Sequence, residues 1–186
     1  MKTSIYLTAL CLIFLCCKKE PSDQCSKPAQ WTEIELPDSI EFDRTIVYLN
    51  GKEVNYAPIF TYYPVYNLIN YRFSQQVGDI VNDFGFSWLP LEEGEYTLHT
   101  DTKPQVDKAG SSFGQTFDED INGYSYKLEE SVNGFFNVEH LDSINQTVRG
   151  RFKVAFCRTS TNGNADLGLP EHLLFQGVFN TKYSKE

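Results

Sequence analysis

The chain has 186 residues, a formal charge of −9 and an aromatic content of 15%. That length suits one domain with a single core. An acidic balance without a Lys/Arg cluster excludes nucleic acid as the expected partner, and abundant Tyr and Phe favour strands over helices.

Lys2 precedes an apolar run from Ile5 to Leu15. The run has about eleven residues where a spanning helix needs about 20, so it reads as a secretory leader. It ends in Leu15-Cys16-Cys17. This ending resembles the lipobox of bacterial lipoproteins, in which the cysteine becomes the new N-terminus and carries acyl chains. The resemblance implies lipidation at Cys17, because a cut before Cys16 would leave the bulky Leu15 next to it. Each buried CH₂ contributes about 0.8 kcal/mol, so two or three chains hold where one is marginal. A plain cleaved leader with a soluble product is the alternative. Cys17-Lys18-Lys19-Glu20 is similar to the export signal of surface-exposed lipoproteins in Bacteroidota, which implies an outer membrane lipoprotein displayed outside the cell. The periplasmic leaflet is the alternative. Residues 1–16 are then a leader, 17–30 a flexible acylated tether with two prolines, and 31–186 a single β domain.

The elements expected along the domain are strands. Trp31 to Leu36 alternates. Thr45 to Asn50 and Lys52 to Tyr56 flank Asn50-Gly51, a hairpin turn whose central residues tolerate positive φ. Ile69, Tyr71 and Phe73 share one face, and Pro58 and Pro64 mark the stretch before them as irregular or an edge. Phe84, Phe86 and Trp88 alternate, Glu92-Glu93-Gly94 turns, and Tyr96 and Leu98 face inward on the next strand. The polar, Gly/Ser-rich stretch from Asp101 to Asp120 reads as a long surface loop. Tyr124, Tyr126 and Leu128 then alternate, and Phe135 to Leu141 makes a return strand after a turn at Val132-Asn133-Gly134. Val148, Phe152, Val154 and Phe156 oppose Arg149, Arg151 and Lys153, the mark of an antiparallel sheet with one wet face. After a loop from Thr159 to Leu169, the final strand carries Leu173, Phe175, Phe179 and Tyr183.

The fold class is therefore all-β: an antiparallel β-sandwich or closed β-barrel of about 8–10 short strands with little helix. Two stretches carry a resemblance: the run from Phe84 to Leu98, and Val148-x-Gly150-x-Phe152 followed by Gly177-Val178-Phe179. The domain resembles a group of Bacteroidota outer-membrane lipoproteins with an all-β domain, which implies fold and location but no activity.

Cys11 and Cys16 leave with the leader, so Cys25 and Cys157 remain as a candidate disulfide in an oxidising envelope. Two separate thiols are the alternative. His99, His140 and His172 lack zinc spacing. Asp118, Asp120, Asn122 and Glu129, with Gly123, fit the spacing of a Ca²⁺ loop, in which a sharp turn aims six to eight oxygens at the ion. No helices flank this loop, and a polar hairpin turn is the preferred reading. Asp38-Ser39-Ile40 and Asp142-Ser143-Ile144 match the Asp-Ser/Thr-aliphatic pattern of O-glycosylation in Bacteroidota, which makes Ser39 and Ser143 candidates. Trp31, Trp88, Tyr62, Tyr63 and Tyr66 are candidates for an aromatic platform, with core packing as the alternative. No catalytic motif is present; Gly110-Ser-Ser-Phe-Gly114 lacks the spacing of Gly-x-Ser-x-Gly. The expectation is a non-enzymatic lipoprotein, held to the outer membrane through Cys17, whose domain binds an extracellular glycan, peptide or protein. A structural subunit of an envelope complex without its own ligand is the alternative.

Overall fold

The described residues form thirteen strands, most of them alternating with period two: β1 (Arg44–Leu49), β2 (Lys52–Val54), β3 (Ala57–Tyr63), β4 (Leu68–Val77), β5 (Ile80–Pro90), β6 (Gly94–His99), β7 (Lys108–Phe117), β8 (Ile121–Asn122), β9 (Ser125–Leu128), β10 (Phe135–Asp142), β11 (Thr147–Ser160), β12 (His172–Lys182) and β13 (Ser184–Lys185). The computed structural model describes Cys25 and residues 31–100, 108–117, 121–122, 125–160 and 168–186. The fold is all-β, in one sheet of order β13-β3-β4-β5-β7-β6-β10-β11-β12-β1-β2, with β8 beside β7 and β9 beside β11. The ladder is mixed where a purely antiparallel one was expected: β6 runs parallel to β7, and β13 parallel to β3.

The sheet curls until its ends meet through the chain. Only two residues separate β2 from β3, and one separates β12 from β13. Rings then face each other across the interior from strands that share no ladder. Phe60 of β3 lies 5.2 Å from Phe179 of β12, Phe73 of β4 lies 4.8 Å from Phe152 of β11, and Phe86 of β5 lies 4.5 Å from Phe136 of β10. All are buried. Such pairs add about 0.5–1.5 kcal/mol each beyond area burial.

Room for these rings comes from two glycines. In the β11–β12 register Gly150 faces Phe179 and Phe152 faces Gly177, so each ring lies over the neighbouring strand's glycine. A Cβ on Gly177 would stand 2.6 Å from Phe152 Cζ and 2.6 Å from the Ile46 carbonyl oxygen. One on Gly150 would stand 2.7 Å from Phe179 Cζ and would fall on the Asn137 carbonyl oxygen.

Several expectations are corrected. Trp31 to Leu36 is not a strand. It opens an irregular strap, residues 31–43, laid over β11 and β12. Glu33 pairs with Lys153, the Ile34 N–H donates to Gln176 Oε1 (3.4 Å), and Asn180 Nδ2 donates to the Ile40 carbonyl (3.1 Å). With a second layer outside it, β12 is buried continuously from Leu173 to Phe179. The stretch expected as a surface loop contains β7, which pairs with β5 from Ile80–Phe117 to Ser87–Gly110. Of its inward positions Ala109, Ser111, Phe113 and Gln115, only Phe113 is a large apolar residue, too little to announce a strand, although Ala109 is also a core residue. Trp88 does not continue the phase of Phe84 and Phe86. A bulge opposite Asn70 puts it at φ 65°, and Leu89 takes the core position. Nor do β9 and β10 pair with each other; they lie along different parts of β11.

Two measurements check this core. Gly150→Ala is expected to cost about 3 kcal/mol by overpacking against backbone, whereas Gly114→Ala, with nothing within 4 Å of its Cβ, leaves the thermal midpoint within about 2 °C. The Tyr56 and Tyr71 hydroxyls are buried without partners among the described residues. Burial pushes both phenols well above the ordinary tyrosine range, with a smaller push on Tyr56 from the Asp83 carboxylate. The native state keeps these protons while the unfolded chain sheds them above about pH 10, so stability is full below that pH and falls above it. Denaturant titrations at rising pH should show an alkaline decline that Tyr71→Phe makes shallower; identical slopes would contradict it.

Candidate functional site

A covalent clamp lies ahead of the strap in the sequence. Cys25 and Cys157 form a disulfide, Cα to Cα 5.6 Å, closing a sequence separation of 132. Cys157 pairs with His172 in the β11–β12 ladder. Beside it, Trp31 packs edge-on against the His172 ring at 5.8 Å, and His172 Nδ1 lies 3.0 Å from Glu129 Oε2. Glu129 is buried and also accepts from Ser131 Oγ at 3.4 Å.

That geometry bears on the Ca²⁺ loop. Its last position, Glu129, is already engaged by His172 and Ser131. Asn122 lies in β8, where its backbone pairs with Thr116. Asp118 and Asp120 lie outside the described residues, as does Cys17. Among the described residues, no group of three or more His, Cys, Asp and Glu side chains is placed to hold a metal ion. Ser39 and Ser143 are both exposed, Ser39 on the strap and Ser143 in the β10–β11 turn. In that turn Asp142 accepts the Ile144 and Asn145 N–H groups at 2.9 Å, and the Asn145 hydrogen bonds foremost hold its carboxyl below the usual range.

The aromatic candidates are not gathered into one platform. Trp31 is spent on His172, and Tyr62 packs against Tyr183 while its hydroxyl donates to Asn67 (2.9 Å). Tyr66 is exposed in the β3–β4 turn. Tyr63 joins a concave site.

That site is a trough of about 550 Å³ on the outer face of β3, β4, β5 and β7, within the roughly 300–1,000 Å³ of small-molecule pockets. Ile59, Thr61 and Tyr63 form one wall. Across it lie Asn70 and Arg72, then Asp83 and Ser87. Arg72 Nη2 is 2.5 Å from Asp83 Oδ2, and Asn70 Oδ1 accepts the Trp88 N–H at 3.2 Å. Gly85, Ser112 and Gly114 leave the floor low. The sequence reading missed this site because outward residues of four strands look like a solvated face. The signal that could have found it is a pair of glycines, Gly85 and Gly114, at outward strand positions. A second hollow of about 400 Å³ lies by Glu95, Leu98, Glu130 and Phe135.

Comparison with known protein families, curated proteins and solved structures finds no match to this chain.

Removing the disulfide frees a long loop in the unfolded chain and is expected to cost about 2–5 kcal/mol. Cys25→Ser/Cys157→Ser should therefore melt several degrees lower than the oxidised protein, and a reductant should lower the parent's midpoint but leave the variant's unchanged.

Proposed function

We propose that this chain is an outer membrane lipoprotein, anchored through acyl chains on Cys17 and displayed on the cell surface, whose β domain binds an extracellular ligand without transforming it. The observation that carries the reading is the Cys25–Cys157 disulfide. A disulfide fits an oxidising compartment outside the cytoplasm, and this one fastens the chain to the domain only eight residues after Cys17. The leader-like run and the resemblance to a lipobox point the same way, and Lys18-Lys19-Glu20 supports outward display.

The clamp also supports one orientation of the domain on a membrane. Cys157 lies ten residues along β11 from Thr147, whose end pairs with Asp142 at the β10–β11 turn. At about 3.3 Å per residue, that places the clamp roughly 33 Å from the turn. A bilayer near the clamp leaves the β3–β4 and β10–β11 turns facing away. The outer-face trough supports binding, and Asp83, one of its two acids, is held by Arg72, an arrangement suited to recognition more than proton transfer.

A structural subunit of an envelope complex is the second reading, favoured by Val65, Tyr66 and Ile144, which stand exposed in the β3–β4 and β10–β11 turns. Isolated exposed apolar residues are ordinary, however, so the trough has precedence.

The anchor is tested directly. Cys17→Ser should abolish acylation and move the protein from the detergent phase of envelope extracts to the aqueous phase; unchanged partition would contradict the assignment.

A further inference from the structure

We infer that the trough on β3, β4, β5 and β7 takes a neutral, hydroxyl-rich ring, a hexose unit of a glycan. This rests on the binding reading above and goes further by naming the ligand class.

Charge decides against anions. Arg72 is neutralised by Asp83, and Glu186 adds a negative charge to the same lining. The whole chain carries −9, so its field disfavours phosphate, sulfate or uronate ligands.

Hydrogen-bonding geometry decides against an extended peptide. Peptides commonly bind a sheet by adding a strand to an open edge. The trough lies on a face: β4 pairs with β3 and β5, and β5 pairs with β4 and β7, so their backbone groups are used in the ladder. What remains for a ligand is side-chain chemistry. Thr61, Ser87 and Ser112 carry hydroxyls, which both donate and accept, Asn70 carries an amide, and Arg72 carries further N–H donors. Mixed donors and acceptors match vicinal hydroxyls, whereas Tyr63 and Ile59 supply apolar surface for the C–H face of a sugar ring.

Two local features point to the same place. Gly114 sits mid-strand with nothing within 4 Å of a Cβ and no positive φ, so the fold itself does not require glycine there. A strand-interior glycine weakens a sheet and often marks close approach of a ligand. Next to Ser87, Trp88 is held at φ 65° by the bulge opposite Asn70. A bulky residue at positive φ stores strain, and such strain clusters at ligand clamps.

The test uses the full mature chain against three immobilised panels: neutral hexose oligosaccharides, uronate-containing oligosaccharides, and unrelated peptides. Members retained are titrated by calorimetry. Gly114→Phe fills the trough from an open position, and Tyr63→Ala removes the wall ring should the first variant fold poorly. The expected result is retention of neutral oligosaccharides, weakened at least about tenfold in whichever variant keeps the parent's melting temperature. Retention of uronates or peptides that the same variants abolish would overturn the ligand class while leaving the binding reading intact. Neutral-glycan binding that neither variant weakens would overturn the trough as its seat. No retention on any panel, with no shift in melting temperature, would overturn both.

Discussion

Two phenylalanines laid over two glycines hold the middle of this molecule. Phe152 over Gly177 and Phe179 over Gly150 let β11 and β12 carry large rings at positions where two ordinary side chains would collide. The rings then extend inward to meet Phe73 of β4 and Phe60 of β3. Curling follows from this filling. An interior of interlocked aromatics brings strands from opposite ends of the ladder into contact, and the short links from β2 to β3 and from β12 to β13 secure the meeting. The strap adds a layer outside, so β12 is enclosed on both faces.

Much of this was legible, for physical reasons that differ by element. The long alternation of β11 needs only period two, and Asn50-Gly51 turns as a residue pair suited to positive φ should, at 50° and 80°. The paired glycines and phenylalanines also stood in the sequence, yet their meaning depends on register, which no single strand reveals. Where the reading failed, a tertiary neighbour had overridden the local signal. Trp31 to Leu36 offers Trp31, Ile34 and Leu36 as half-buried residues because the stretch lies on a sheet, although it joins none. The small polar residues of β7 conceal a strand that its neighbour β5 stabilises. Trp88 breaks phase because a bulge, invisible to periodicity, shifts the core position to Leu89.

The candidate site was less legible than the fold. The cysteine pair could be proposed by elimination, once Cys11, Cys16 and Cys17 are assigned to an expected leader and lipidation site. The trough could not, because Thr61, Arg72, Asp83 and Ser112 come from four separate strands and each alone looks like an ordinary wet position. Clamp and trough divide the molecule: one end of the sheet is bonded to Cys25, while a wall of the sheet offers hydrogen bonds and a ring to solvent.

The most direct test of the central claim is native-state amide hydrogen exchange. If rings over glycines make β11 and β12 the spine, the amides of Phe152 to Phe156 and Leu174 to Phe179 should be the slowest to exchange, opening only with global unfolding. Amides at these positions exchanging as fast as those of β2 or β13 would contradict the account.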